Sequence, residues 1–271
     1  MAFMKKPLKR TMAAIAVLTT LTVGTAAQQL PQQIPSRSML NANHCDGDLE
    51  IDACVGVLEY RVGDYAGAVR IWKALAAEGD VVAQRNLGLM YQRGRGVKRD
   101  LGEAARWYRK AADQGDAGAA LALGAMYQTG KGVSQNYDMA AAMYRKAIRG
   151  GSSRAAYRMA MMHRAHVARA PDLRAELRYL RTAAFRGLSD AQIEMGRYFF
   201  RRNRYNSDKV RACAFFRFAV DSAVDPLVRR EASDWVFRVQ DDITLDQSYH
   251  CREIAREWRQ ELSINGGRAP F

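Results

Sequence analysis

The sequence predicts an all-α protein, a right-handed α-solenoid of about five to six 36-residue helix-turn-helix repeats, on three observations. Leu87-Gly88, Tyr91, Gly94 and Gly96-Val97 recur as Leu123-Gly124, Tyr127, Gly130 and Gly132-Val133, every member shifted by 36 positions. Ala104-Ala105, Tyr108-Arg109-Lys110-Ala111 and Gly115 recur at the same shift as Ala140-Ala141, Tyr144-Arg145-Lys146-Ala147 and Gly151. One acidic or amide position keeps phase through Asp64, Asp100, Asn136, Asp172 and Asp208. The frame runs on with weaker identity through Met159-Ala160, Leu180, Ala183-Ala184 and Gly187. It then reaches Met195-Gly196, Phe199, Phe216, Ala219-Val220 and Ala223.

Within one unit the residue order dictates a helical hairpin. The spacing predicts a first helix over about Val81 to Arg93, with Leu87, Met90 and Tyr91 on one face. Gly94 and Gly96 end it, because glycine accepts the left-handed conformation that closes a helix. Asp100 suits the N-cap of a second helix, which runs to about Gln114 and stops at Gly115. Ala104, Ala105 and Ala111 permit close approach of helices, and Trp107 and Tyr108 fill the spaces left between them. A lone hairpin has nothing to bury that face against, whereas stacked copies bury it on one another.

The N-terminus reads as an address label. Lys5, Lys6, Lys9 and Arg10 precede an apolar run from Met12 to Val23, followed by small residues to Ala27. That order predicts a signal peptide over 1–27, cleaved after Ala27. Its apolar run of about 12 residues is short of the ~20 that span a bilayer. No later stretch is apolar enough to cross a membrane, so a soluble periplasmic or secreted product is expected. Residues 28–47 are rich in Gln, Pro, Ser and Asn and predict a flexible arm. The solenoid is placed at 48–263, in units of about 48–80, 81–116, 117–152, 153–188 and 189–225 with a C-terminal cap at 226–263; residues 264–271 form a tail.

Four cysteines, Cys45, Cys54, Cys213 and Cys251, in an exported chain favour disulfides. Three pairings exist in principle; proximity in the repeat order favours Cys45–Cys54 with Cys213–Cys251. No C-x-x-C is present, so thiol–disulfide exchange has no motif to use. His44 and His250 adjoin cysteines without zinc-site spacing, and His163 and His166 lack a third ligand, so no metal is expected. Gly94-Arg-Gly96 and Gly130-Lys-Gly132 punctuate repeats and follow no strand. No serine carries an elbow or a paired histidine. No catalytic residue and no cofactor is assigned, and the chain is not expected to be an enzyme.

Ala83, Leu87, Gly88, Tyr91, Gly94, Gly96, Val97, Asp100, Ala104, Trp107, Tyr108, Lys110, Ala111, Ala112 and Gly115 resemble, position by position, the Sel-one-like repeat (SLR) family, a relative of the tetratricopeptide repeat. The resemblance is strong over Val81–Ser152 and partial on either side. Unit four carries His166 to Arg169 in place of the Gly-x-Gly loop, and unit five carries Arg202 to Tyr205. The resemblance implies an adaptor, since exported bacterial members regulate envelope sensor kinases or act on hosts. Cysteine-rich members that bind or cleave β-lactams carry a cysteine pair in every repeat, which this chain lacks.

In tetratricopeptide-like stacks the first helices line a concave groove. The resemblance therefore assigns to that face Arg85, Gln92, Arg93, Leu121, Gln128, Arg154, Tyr157, Met161 and Arg164, then Ile193, Arg197, Phe200 and Arg201. Such a lining suits an acidic or amphipathic peptide. Charge points the same way. The chain's formal net charge is +14, and removing the four basic residues of 1–27 leaves +10. Between Ser153 and Arg217 stand 15 Lys or Arg against 5 acidic residues, again +10, so the excess sits in units four and five. Most of it is arginine, which favours bidentate carboxylate or phosphate recognition. Export argues against nucleic acid as the partner.

The leading expectation is thus an exported scaffold that binds a protein and regulates envelope signalling or assembly through a basic groove. A binding module for acidic polysaccharide, cell-wall polymer or anionic membrane surface is the alternative, and a β-lactamase-like hydrolase the second alternative.

Overall fold

A computed structural model describes residues 51–165 and 172–265. The expected signal peptide and arm, a Cys45–Cys54 bridge and His166 fall outside the described residues. All described residues lie in one compact unit, Gly47–Phe271.

Among them are twelve helices and no strand. The first three pairs are α1 (Ile51–Val62) with α2 (Tyr65–Ala77), α3 (Val81–Arg93) with α4 (Leu101–Asp113), and α5 (Ala117–Thr129) with α6 (Tyr137–Arg149). Then come α7 (Ser153–Arg164) with α8 (Leu173–Phe185), and α9 (Ser189–Arg202) with α10 (Asn206–Ser222). Two more, α11 (Pro226–Gln240) and α12 (Leu245–Asn265), complete the stack. Every substantial contact joins helices adjacent or next-but-one in the chain, which is the contact pattern of a solenoid.

The recurring acidic position has a capping role. Asp64, Asp100, Asn136 and Asp172 are N-caps of α2, α4, α6 and α8, each accepting the amide three residues on at 2.8–3.0 Å. Asp80, Asp116 and Ser152 cap the first helices α3, α5 and α7 in the same way. Each cap satisfies an orphan donor, an effect of about 1 kcal/mol. Asp208 departs from the frame because α10 begins earlier, at Asn206. It lies buried in the first turn, accepting the Arg204 amide at 3.3 Å and pairing with Arg202 at 3.5 Å.

The first helices of units two and three end on a left-handed glycine, Gly94 at φ 68° and Gly130 at φ 70°, whereas α7 ends on Ala165 at φ −79°. Unit five lacks that glycine and uses Asn203 at φ 35°, Asn being the next residue to tolerate this region.

Inside units two, three and five a ring lies on a residue without a side chain. A Cβ on Gly88 would stand 2.7 Å from the Tyr108 ring, on Gly124 2.7 Å from Tyr144, and on Gly196 2.6 Å from Phe216. In unit four the small residue has grown to Ala160 and the ring has shrunk to Leu180, both in one buried cluster. Volume is conserved across the pair, which close packing demands.

At the C-terminal end, α11 and α12 both pack on α10, and their contact with each other is slighter. Cys213 of α10 bonds Cys251 of α12, with Cα atoms 5.8 Å apart and both residues fully buried.

Candidate functional site

The residues assigned to the groove are drawn into the protein's own packing to different degrees. Gln92, Gln128, Arg164 and Phe200 occupy one repeat position, and each is engaged within the chain. Gln92 accepts the Tyr108 hydroxyl at 2.7 Å and Gln128 the Tyr144 hydroxyl at 2.6 Å. Burial pushes both phenols up to about 12. Phe200 meets Trp235 edge-on, with centroids 5.6 Å apart.

Arg164 begins a ladder of charges along units four and five. Its Nε donates to Glu176 at 2.7 Å and its Nη1 to Glu194 at 2.8 Å. Glu194 also accepts Arg197 at 2.9 Å, and Arg197 reaches on to Glu231 of α11. Burial disfavours the Arg164 charge, but its two carboxylate partners outweigh that and raise its pKa. Arg197 lies besides over the Trp235 ring, 5.4 Å from its centroid. These two guanidiniums therefore spend their charge on carboxylates of the chain itself, on their own helix and on neighbouring ones.

In the N-terminal half, Arg85 pairs with the α5 cap Asp116 at 2.8 Å, and Arg93 donates to the Tyr60 hydroxyl at 3.0 Å. Tyr157 and Met161 are half-buried against the core of units four and five, and Ile193 is buried in the adjoining core of α9 to α12. Arg154 and Arg201 are exposed and, among the described residues, pair with no carboxylate. On the first-helix face, Arg85, Arg164 and Arg197 are thus compensated by carboxylates of the chain itself.

A cluster of uncompensated charge lies between α8 and α10, over α9. A cleft of about 480 Å³ there is rimmed by Arg174, Arg178, Arg181, Arg202 and Arg211, and floored by Leu177, Met195, Tyr198 and Phe199. No carboxylate lines it. Only Arg202 has an acidic partner among the described residues, Asp208 at 3.5 Å. Arg211 stands over the Phe199 ring, 5.7 Å from its centroid. Arg174, Arg178 and Arg181 are spaced i, i+4, i+7 and so share one helix face, a signal present in the sequence but on the second helix of the unit.

A second cleft of about 490 Å³ adjoins it, sharing Leu177, Tyr198 and Arg202, and holds Arg201 beside the Arg164–Glu176–Glu194 ladder. His163 stacks on Tyr179 with centroids 5.7 Å apart. Among the described residues no group of three or more His, Cys, Asp or Glu could hold a metal, and no helix is long and apolar enough to cross a membrane.

A family model described as Sel1 repeat matches residues 81–116 and 117–152, the two units whose pattern is most regular. Among solved structures the chain is similar to a Sel1 repeat protein from Oxalobacter formigenes. That likeness has 26% identity and a TM-score of 0.61, over 81% of this chain and 84% of that one. It is also similar to c5321, a protective antigen present in uropathogenic Escherichia coli strains displaying an SLR fold, at 23% identity and a TM-score of 0.54. That alignment covers 79% of this chain and 53% of the antigen, so this chain spans about half of it, and the likeness concerns the fold alone. No curated protein matches the chain. Residues 81–116 and 117–152 are Sel1 repeats, set in a helical stack with the fold of solved Sel1-repeat proteins.

Proposed function

We propose that this chain is an exported scaffold, periplasmic or secreted, that holds an acidic, amphipathic segment of a protein partner on units four and five and so regulates an envelope signalling or assembly process. Sel1 repeats in general mediate protein–protein interaction, which supports the class of function. The observation that carries the site is the α8–α10 cleft, with five arginines around an apolar and aromatic floor and no carboxylate in its lining. Guanidinium groups grip carboxylates bidentately, while Leu177, Met195, Tyr198 and Phe199 accept the apolar side of the same segment. Export is supported by the basic-then-apolar N-terminus and by the Cys213–Cys251 bridge, which persists in oxidising compartments.

Affinity capture from envelope extract, repeated with Arg174→Glu/Arg178→Glu/Arg181→Glu, tests the site. One stoichiometric partner bound by the parent and lost by the variant, at an unchanged melting temperature, is the expected result. Equal capture by both proteins refutes the site, and retention on cell-wall sacculi alone favours the acidic-polymer alternative. N-terminal sequencing of the periplasmic fraction is expected to begin at Gln28; an intact Met1 in the cytoplasm refutes export.

A further inference from the structure

The α10–α12 end of the stack holds a second cluster of arginines that the α8–α10 cleft does not share. Arg252, Arg256 and Arg259 sit at i, i+4 and i+7 of α12 and so share one face. Across from them on α10 stand Arg217 and Asp221, and these five line a cleft of about 480 Å³ with Ser233 of α11. Four guanidiniums meet there against one carboxylate. Asp221 is engaged with Arg259 at 3.3 Å. Arg252 leans over its own helix's Tyr249, 5.7 Å away. Arg217 and Arg256 have no acidic partner among the described residues. The Nε of Arg217 is buried and has no hydrogen-bond acceptor.

Such a cluster is unfavourable as it stands. Like charges converge, and a donor that has left water has no acceptor. The repulsion is registered on Arg217, whose pKa is lowered first by burial and then by Arg252, against a smaller opposing pull from Asp221. The cleft is also held in shape. Cys213 lies one turn before Arg217 on α10, and its bond to Cys251 fixes the α12 turn that carries Arg252. An array of planar donors on two disulfide-linked helices, with one donor desolvated, matches a compact, doubly charged oxyanion, whose several acceptors meet guanidinium forks. The lining is mostly polar, so an apolar peptide face finds little to bury there.

We infer that the α10–α11–α12 cleft is a binding site for a phosphate dianion, free or as the terminal monoester of a larger ligand, gripped by Arg217, Arg252 and Arg256. A free phosphate and a lipid-borne one present the same chemistry. The proposal does not rest on the α8–α10 cleft, whose arginines are different residues.

The test uses the disulfide-bonded mature chain in a buffer free of phosphate. Inorganic phosphate and pyrophosphate are titrated by calorimetry at an ionic strength held constant with sodium chloride. Vesicles containing phosphatidic acid, or phosphatidylglycerol at equal surface charge, form a second arm. Saturable one-to-one binding in either arm, weakened at least tenfold by Arg256→Gln and by Arg217→Gln, is expected. Arg256 is exposed, so its variant keeps the parent melting temperature in the absence of ligand and separates lost binding from lost folding. Binding of pyrophosphate assigns a free ligand, and binding of phosphatidic-acid vesicles alone assigns a lipid-borne one. Three outcomes overturn the inference: no saturable heat in either arm, equal affinity in Arg256→Gln, or equal binding to phosphatidylglycerol, whose diester carries only one charge.

Discussion

One repeat position shows how a single side chain is tuned by its partner. In units two and three, glutamine meets a tyrosine hydroxyl, at Gln92–Tyr108 and Gln128–Tyr144. In unit one the aromatic is Trp72, and the same position becomes Gly56, which makes room for the indole. In unit four it is Arg164, because Leu180 offers no hydroxyl and Glu176 and Glu194 supply carboxylates instead. The neighbouring small residue obeys the same rule of fixed volume. Gly124→Ala is expected to cost about 1–3 kcal/mol, since the Tyr144 ring would have to move. Adding Tyr144→Leu should recover part of that loss, reproducing the Ala160–Leu180 pair; thermal unfolding of both single variants and the double completes the cycle. The two phenols also give a pH signature. Their folded pKa of about 12 lies above the ordinary 10.0, so the folded state holds protons that the unfolded state releases. That contribution is whole below pH 10 and disappears as pH rises from 10 to 12. Ultraviolet titration should show at least two late-ionising tyrosines, and Tyr108→Phe/Tyr144→Phe should flatten the loss of stability across that window.

At the scale of helices, capping and ion pairs join units that each lack a closed core. Arg85 of α3 reaches the cap of α5, and Arg197 of α9 reaches Glu231 of α11, so a first helix grips the next first helix. Breaking a partly buried ladder leaves carboxylates without a cation, so Arg197→Glu is expected to destabilise by about 2–3 kcal/mol. Arg201→Glu, exposed and without an acidic partner among the described residues, should stay within about 0.5 kcal/mol of the parent in the same denaturant titration. Reducing Cys213–Cys251, or replacing both residues by serine, should cost about 2–4 kcal/mol, lost from the α10–α12 end first. The helices themselves were legible because Leu87, Gly88, Tyr91 and Gly94 each have one structural duty, repeated 36 positions on. Pair chemistry was less legible. Nothing in the spacing of Arg164 and Arg197 distinguishes a solvated groove lining from a rung between helices, because that depends on partners from other elements, Glu176 and Glu194 for Arg164 and Glu231 for Arg197. The arginine face of α8 was readable at i, i+4, i+7, but only the stack shows that α9 floors it with Tyr198 and Phe199.

Across the whole molecule, a solenoid lets units diverge independently, because each touches only its neighbours. Units two and three keep the repeat pattern and bury an alanine-rich core, whereas units four and five carry the charge excess and the open clefts. Partner binding should therefore depend on where the charge lies more than on how much there is. Arg145 supplies the control, being exposed on α6 of unit three and, among the described residues, free of any carboxylate. Arg145→Glu and Arg178→Glu change the net charge equally. If the docking surface is the α8–α10 cleft, Arg178→Glu should weaken partner affinity at least tenfold, and Arg145→Glu by less than about twofold. Raising salt from about 0.1 M to 1 M shortens the screening length from about 10 Å to 3 Å, so the parent complex should weaken while Arg178→Glu shows a shallower salt dependence. Equal weakening by the two variants at each salt concentration would mean that the partner reads the diffuse positive field of the chain, and the cleft would lose its claim.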